Sequence, residues 1–333
     1  TTPTRKRHPA PGKRHLKKSG GHHFGCAQYR FRAAKAMKFQ FIADHQQEFP
    51  VRRMCRVLGV SASGFYAWQQ RRPSARKMAN DKLLSQIKQV QKESRGTYGS
   101  PRVHAALVQQ GISCGLHRLA RLMQQHGLRA KGKRRYKRTT NAVHAYPIAL
   151  NVLNREFTTQ APNQKWVGDI TYIPTGEGWL YLAVVMDLYS RRVIGWAMTD
   201  HMKQELTVTA LSMALNRCRP KPGLLHHTDR GSQYAATHYR TLLHQHQIQV
   251  SMSRSGNCMR TSSPIIAPME SFFATLKAEL GHYGWYRTRR QARAEIFEYI
   301  EVFYNRQRRH SSLGYLSPLQ FEQKNITSFS TVH

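Results

Sequence analysis

Asp169 stands in the middle of an otherwise apolar run, Trp166-Val-Gly-Asp169-Ile170-Thr-Tyr172-Ile173. A carboxylate there is costly to bury unless it is paired or ligates a cation. Asp229 closes a second short apolar run and opens His226-His227-Thr228-Asp229-Arg230-Gly231-Ser232-Gln233-Tyr234, at the strand-to-loop edge where α/β folds place functional groups. Glu270 lies in Pro268-Met-Glu270-Ser-Phe-Phe-Ala-Thr-Leu-Lys277, which reads as a helix with its apolar residues inward. Any one of these acids alone also fits a cap or a surface ion pair. Together, a strand centre, a strand end and a helix can converge to hold two magnesium ions, hard cations that want oxygen ligands. Lys277 follows Glu270 by two helical turns, so its ammonium shares a face with the carboxylate and can hold a phosphate. His226 and His227 lack partners at ligand spacing and read as core or supporting residues.

The elements that must position these acids follow from periodicity. Trp166 to Ile173, Leu180 to Asp187 and Arg192 to Met198 are rich in β-formers, and Gly176-Glu177-Gly178 supplies a hairpin turn between the first two. The pattern predicts three consecutive antiparallel strands. A helix over Glu205–Cys218, a short buried strand over Leu224–Thr228, a helix over Ala236–Gln247 and a strand over Val250–Met252 come next. The helix bearing Glu270 runs to about Leu280, and Arg289–Asn305 is a last amphipathic helix. The order β-β-β-α-β-α-β-α implies a mixed five-stranded α/β sheet with flanking helices. Neither G-x-x-x-x-G-K nor G-x-G-x-x-G occurs, which disfavours ATP-driven chemistry.

In front of this lies a different chain. Of its 333 residues, 53 are Lys or Arg and 17 Asp or Glu, a formal net charge of +36. Residues 1–140 hold 32 basic and 4 acidic residues, and 141–333 hold 21 and 13. A polyanionic partner is the first expectation. Residues 1–36 carry ten basic residues and no acid, and read as a disordered basic tail. Val51, Met54, Val57 and Leu58 fall at helical spacing, Gly59-Val-Ser61 breaks the run, and Ser63 to Trp68 resume it, a helix-turn-helix layout over 37–75. A second, similar unit with Leu83, Leu84, Ile87 and Val90 on one stripe occupies 76–140. It ends in a basic linker, Arg129, Lys131, Lys133, Arg134, Arg135, Lys137 and Arg138, suited to DNA phosphates. Further expected boundaries are a linker at 141–165, a core at 166–285 and a C-terminal helix and tail at 286–333. The longest apolar run, Trp179–Met186, is far short of a membrane span, and five scattered cysteines without a C-x-x-C pair fit a reducing, cytoplasmic setting.

Residues 38–322 resemble the OrfB products of bacterial insertion sequences of the family named after insertion sequence three. The likeness rests on Phe49 to Val60; Arg95-Gly-Thr-Tyr-Gly-Ser-Pro-Arg102; Trp166 to Gly178; Asp187 to Arg192; His227 to Tyr234; Ser251 to Cys258; Glu270 to Lys277; and Tyr304-Asn305 through Pro318. It implies a DDE transposase with a ribonuclease H-like catalytic domain of the integrase superfamily, preceded by small all-α helix-turn-helix units. The family's metal-binding acids fall on Asp169, Asp229 and Glu270, and its basic partner on Lys277. Two Mg2+ ions, with Mn2+ as a substitute, would serve nicking at element ends and joining to a target. The partners implied are double-stranded DNA of the terminal inverted repeats and of the target, an OrfA-type protein, and further copies of the chain on DNA, in the bacterial cytoplasm at the nucleoid. Arg230 and Lys277 would steady phosphates near the metals.

One departure stands out. Between Asp169 and Asp229 lie 59 residues, as in the family, but the 40 between Asp229 and Glu270 exceed the family pattern. The excess sits in Met259–Ala267, where the family has a short aromatic-Asp-Asn segment. Because this stretch leads into the helix bearing Glu270, it either bulges out harmlessly or displaces that carboxylate. The alternative it keeps open is a catalytically impaired relic acting only as a sequence-specific DNA-binding protein. A ribonuclease H-like nuclease without joining activity is a third reading.

Overall fold

The computed structural model describes residues 35–131, 149–153, 156–253, 267–280 and 286–330. The expected tail 1–36 therefore lies almost wholly outside the described residues, as do most of the basic linker and the segment 254–266. The chain divides into two compact units, Thr1–Ala79 and Asn80–His333.

In the first unit, α1 (Lys35–Asp44), α2 (Val51–Leu58) and α3 (Ala62–Gln69) enclose a small core of Phe39, Ile42, Met54, Cys55, Leu58 and Phe65. The turn between α2 and α3 is made by Gly59 at φ 65°, a left-handed conformation that ends α2. Ser61 then caps α3, its hydroxyl accepting from Gly64 N at 3.1 Å. Sequence periodicity alone did not point to α1. Its mixture of Lys, Gln and Asp with two inward apolar residues gives it a weak stripe.

The second unit begins within α4 (Ala75–Glu93) and continues through α5 (Ser100–Gln109) and α6 (Leu116–Gln125), packed around Leu83, Ile87, Val103, Leu107 and Leu119. Then comes the sheet: β1 (Lys165–Thr175), β2 (Gly178–Asp187), β3 (Val193–Thr199), α7 (Gln204–Cys218), β4 (Leu225–Thr228), α8 (Ser232–Ala235), α9 (Thr237–Gln245) and β5 (Gln249–Met252). The strand order is β3-β2-β1-β4-β5, with β1–β2 and β2–β3 antiparallel and β1–β4 and β4–β5 parallel. This is the mixed five-stranded sheet expected from the sequence. The hairpin turns at Gly176-Glu177, where Thr175 pairs with Gly178.

Helices cover both faces. One face, with Val167, Leu182, Val184 and Met186, packs against α10 (Ala267–Leu280) and α11 (Arg289–Glu298). The other, with Trp166, Ala183, Val185 and Ile194, packs against α7 and α9. The expected helix Arg289–Asn305 is not uniform: after Glu298 the chain widens to a π-helical turn over Tyr299–Tyr304. That turn leads to Asn305, whose side chain accepts from Val193 N at 3.0 Å and donates to Val193 O at 2.9 Å. Beyond it, α12 (Pro318–Ser330) closes the described chain, where sequence reading expected only a tail. Among the described residues no helix is long and apolar enough to cross a membrane.

Candidate active site

β1 and β4 run parallel, and their register pairs Gly168 with Thr228. Asp169 is the next residue on β1 and Asp229 the first beyond β4, so the two acids lie at neighbouring positions where the pairing ends, on chains spaced about 4.8 Å apart. Strand alternation puts Asp169 on the same face as Val167 and Ile173, the face covered by α10. Both carboxylates are nearly buried, 9% and 8% exposed. Asp169 accepts from Ile170 N at 2.8 Å and Asp229 from Gly231 N at 2.9 Å. The Asp229 contact holds the first turn of the loop after β4.

Tyr234, in the short α8 that follows this turn, registers both acids. Burial pushes its phenol well up, and the Asp169 and Asp229 carboxylates push it further in the same direction. Its hydroxyl is buried without a hydrogen-bond partner among the described residues. Sequence reading missed Tyr234, because a lone aromatic gives no chemical signal until the acids beside it are placed.

Lys277 reaches this face from α10. Its ammonium lies 5.4 Å from the centre of the Tyr172 ring on β1, a cation–π distance. Burial pushes the ammonium pKa down, while the Asp169 carboxylate pulls it back up. Lys277 and Asp169 are therefore electrostatic neighbours across the helix–sheet interface. Glu270, two turns earlier on α10, is partly buried. Among the described residues, no three His, Cys, Asp or Glu side chains are gathered closely enough to hold a metal ion. The structure thus brings Asp169 and Asp229 together at the end of the β1–β4 pairing and sets Lys277 beside Asp169, on the same helix as Glu270. The donor chemistry of the pair, two buried carboxylates side by side, fits a hard divalent cation.

Arg230, next to Asp229, donates from Nε to Ser253 O, just after β5, at 2.5 Å. His226 and His227 are fully inside: His226 Nε2 lies 2.6 Å from the Tyr239 hydroxyl and His227 Nδ1 lies 2.8 Å from Ser251 Oγ. Burial pushes them down to about 3 and about 4, so both are neutral imidazoles bracing β4 against its neighbours. Of the basic linker, Arg129 and Lys131 are exposed, and Lys131 N donates to Gly96 O at 3.0 Å. Lys133, Arg134, Arg135, Lys137 and Arg138 lie outside the described residues.

Residues 159–258 and 270–326 match two models described as integrase core domain, and residues 78–136 match an HTH-like domain. A 31 kDa protein of insertion element IS600 from Shigella sonnei is 50% identical over 81% of this chain and 98% of its own length. Transposase InsF for insertion sequence IS3A from Escherichia coli (strain K12) is 44% identical over 87% of this chain and 100% of its own. A remote likeness, 16% identical with a TM-score of 0.36 over 50% of this chain and 99% of the other, is to the HTLV-2 integrase catalytic core domain, solved in complex with magnesium. On the strength of the two full-length relatives and the integrase core, the chain belongs to the IS3 family of insertion-sequence transposases.

Proposed function

We propose that this chain cleaves DNA strands at the ends of an insertion element and joins them to target DNA, with Asp169, Asp229 and Glu270 as its metal-binding acids. The observation that carries the reading is the side-by-side placement of Asp169 and Asp229 at the end of the β1–β4 pairing, under the helix that bears Lys277 and Glu270. Two Mg2+ ions, with Mn2+ as a substitute, would activate the attacking water or 3′-hydroxyl and stabilise the leaving oxygen when bound.

The protein's own groups supply position and charge. Asp169 and Asp229 would hold the ions, and their burial keeps water from competing for the carboxylate oxygens. Lys277 places a cation beside Asp169, where it can take a phosphate oxygen of the strand being cut. Arg230, Arg129 and Lys131, with the linker through Arg138, add phosphate contacts, and the exposed Ser61, Ser63, Gln69, Arg71 and Arg72 form the DNA-facing side of the first helix-turn-helix. An OrfA-type partner and further copies of the chain complete the assembly on paired ends, in the bacterial cytoplasm at the nucleoid.

A second reading, binding without cutting, draws on one observation: among the described residues no three His, Cys, Asp or Glu side chains are gathered closely enough to hold a metal ion. The deciding experiment is a Mg2+- or Mn2+-dependent nicking and joining assay on the element's own ends, comparing the natural chain with Asp169→Asn and Asp229→Asn. Cleavage lost in both variants, with DNA binding retained, is the expected result. Salt-dependent binding with no cleavage by any of the three, OrfA-type partner included, would favour the second reading.

A further inference from the structure

Away from the aspartate pair, a polar pocket of about 130 Å³ opens in the second unit. Its walls come from four places: Arg102 in the first turn of α5, Arg191 in the turn between β2 and β3, Ser271 and Thr275 on α10, and Arg308 and His310 after the π turn. The volume equals about four waters of liquid, which suits one tetrahedral oxyanion.

The charge of these walls is unbalanced. Three guanidiniums line the pocket, and among the described residues the carboxylate that acts on Arg102 and Arg308 is Glu279. Glu279 is already engaged: Arg308 Nε donates to both of its oxygens and Nη2 to one of them at 2.7 Å, and the Tyr299 hydroxyl donates at 2.8 Å. Arg102 is held below its ordinary range by burial and by the neighbouring Arg308. Arg191, also lowered by burial, sits at φ 60°, a left-handed backbone that a residue with a side chain rarely adopts. Such strain concentrates at ligand clamps.

His310 adds an independent observation. Its Nε2 is buried with no hydrogen-bond partner among the described residues. Burial and the charges of Arg308, Arg102 and Arg191 hold the ring neutral, so it can donate one hydrogen bond without adding further charge. Ser271 and Thr275, one helical turn apart, present hydroxyls on the opposite wall. Donors outnumber acceptors, positive charge exceeds negative, and one buried ring nitrogen is unsatisfied.

We propose that this pocket seats a single phosphate group belonging to a DNA strand. Guanidiniums match phosphate oxygens two at a time, which three converging arginines exploit better than a lone surface charge. Ser271, on the pocket wall, directly follows Glu270 on α10, so the pocket and one of the acids proposed to bind metal share a helix. The DNA half of this inference rests on the function proposed above; the phosphate half does not.

The test uses the full chain and two variants, Arg102→Gln and Arg191→Gln. Arg308 is left in place because its loss would strand Glu279. Inorganic phosphate is added to each at constant ionic strength against chloride, and thermal unfolding is followed. Random-sequence duplex binding is then measured across a salt series. Phosphate raises the melting temperature of the natural chain and not of the variants. Each variant binds duplex about tenfold more weakly, with a slope of log affinity on log salt shallower by about 0.9, the loss of one phosphate contact. Because each variant removes like-charge repulsion, its own melting temperature is equal to or above that of the natural chain. Phosphate protection with unchanged duplex affinity and slope would overturn the DNA assignment and leave a free-phosphate site. Neither protection nor a change in duplex binding would overturn the pocket altogether. A natural chain that binds no duplex at all would refute the function proposed above, and the protection arm would then decide the pocket by itself.

Discussion

Among single residues, the buried Arg308–Glu279 pair sets the strongest local constraint. The guanidinium and carboxylate approach to 2.7 Å with side chains 5% and 7% exposed. Burial alone would lower the arginine, yet its hydrogen bonds and charge attraction to Glu279 raise it overall. Breaking such a pair leaves one buried charge uncompensated, at a cost of about 3–5 kcal/mol, whereas replacing both partners by apolar groups is often nearly neutral. Glu279→Gln is therefore expected to lower the midpoint of urea unfolding severely. The double variant Glu279→Leu with Arg308→Met should recover most of that loss, and a double variant as unstable as the single would show that the pair is not what holds α10 to the segment after the π turn. This pair was invisible in the sequence. Its members are separated by 29 positions, and a glutamate late in a helix reads as solvated. Asp169, by contrast, was legible because a carboxylate inside an apolar strand is anomalous wherever the chain folds.

At the scale of elements, β3 and α7 meet at Gly195. A Cβ built there would stand 2.1 Å from Ala210 O and 2.8 Å from Ala214 Cβ, closer than packed atoms come. Gly195→Ala must push helix from sheet, and overpacking of this kind costs about 1–3 kcal/mol. Urea unfolding should show a lower midpoint with an unaltered slope; an unchanged midpoint would mean that α7 slides without loss. The same reasoning explains which elements sequence patterning found. The five strands and the helices between them declare themselves through β-branched runs and a period of 3.6. What it missed depends on tertiary partners: α1 interleaves its apolar residues with Lys, Gln and Asp so that no clean stripe shows, α12 opens on a proline that reads equally as a loop, and the π turn leads to Asn305, held against Val193. The aspartate pair was legible as two acids of one site, and the register of β1 on β4 is the fact that sets them side by side. Glu270 was legible as a helical acid, but how α10 lies on the sheet is a property of tertiary packing.

For the molecule as a whole, buried ionisable groups set the response to pH. His226 is pushed down to about 3, first by burial and then by the charge of His227, and His310 to about 2, by burial and then by Arg308, Arg102 and Arg191. Both start from an ordinary value of 6.5. Between those limits the unfolded chain binds protons that the folded chain refuses, so stability is full above pH 6.5 and falls as pH drops. Asp187 acts in the opposite sense. Burial raises it to about 6 from 3.8, against the Asn163 and Tyr189 backbone donors, so its contribution is present below pH 3.8 and is lost as pH rises through 6. Two histidines outweigh one aspartate across the shared window. The melting temperature is therefore expected to fall as pH is lowered from 7.5 to about 4.5. His226→Gln, whose amide can keep a hydrogen bond to Tyr239, should make that fall shallower, while Asp187→Asn should steepen it. A melting temperature that rises on acidification, or a His226→Gln profile parallel to the natural one, would mean that His226 is not the neutral group on which β4 is built.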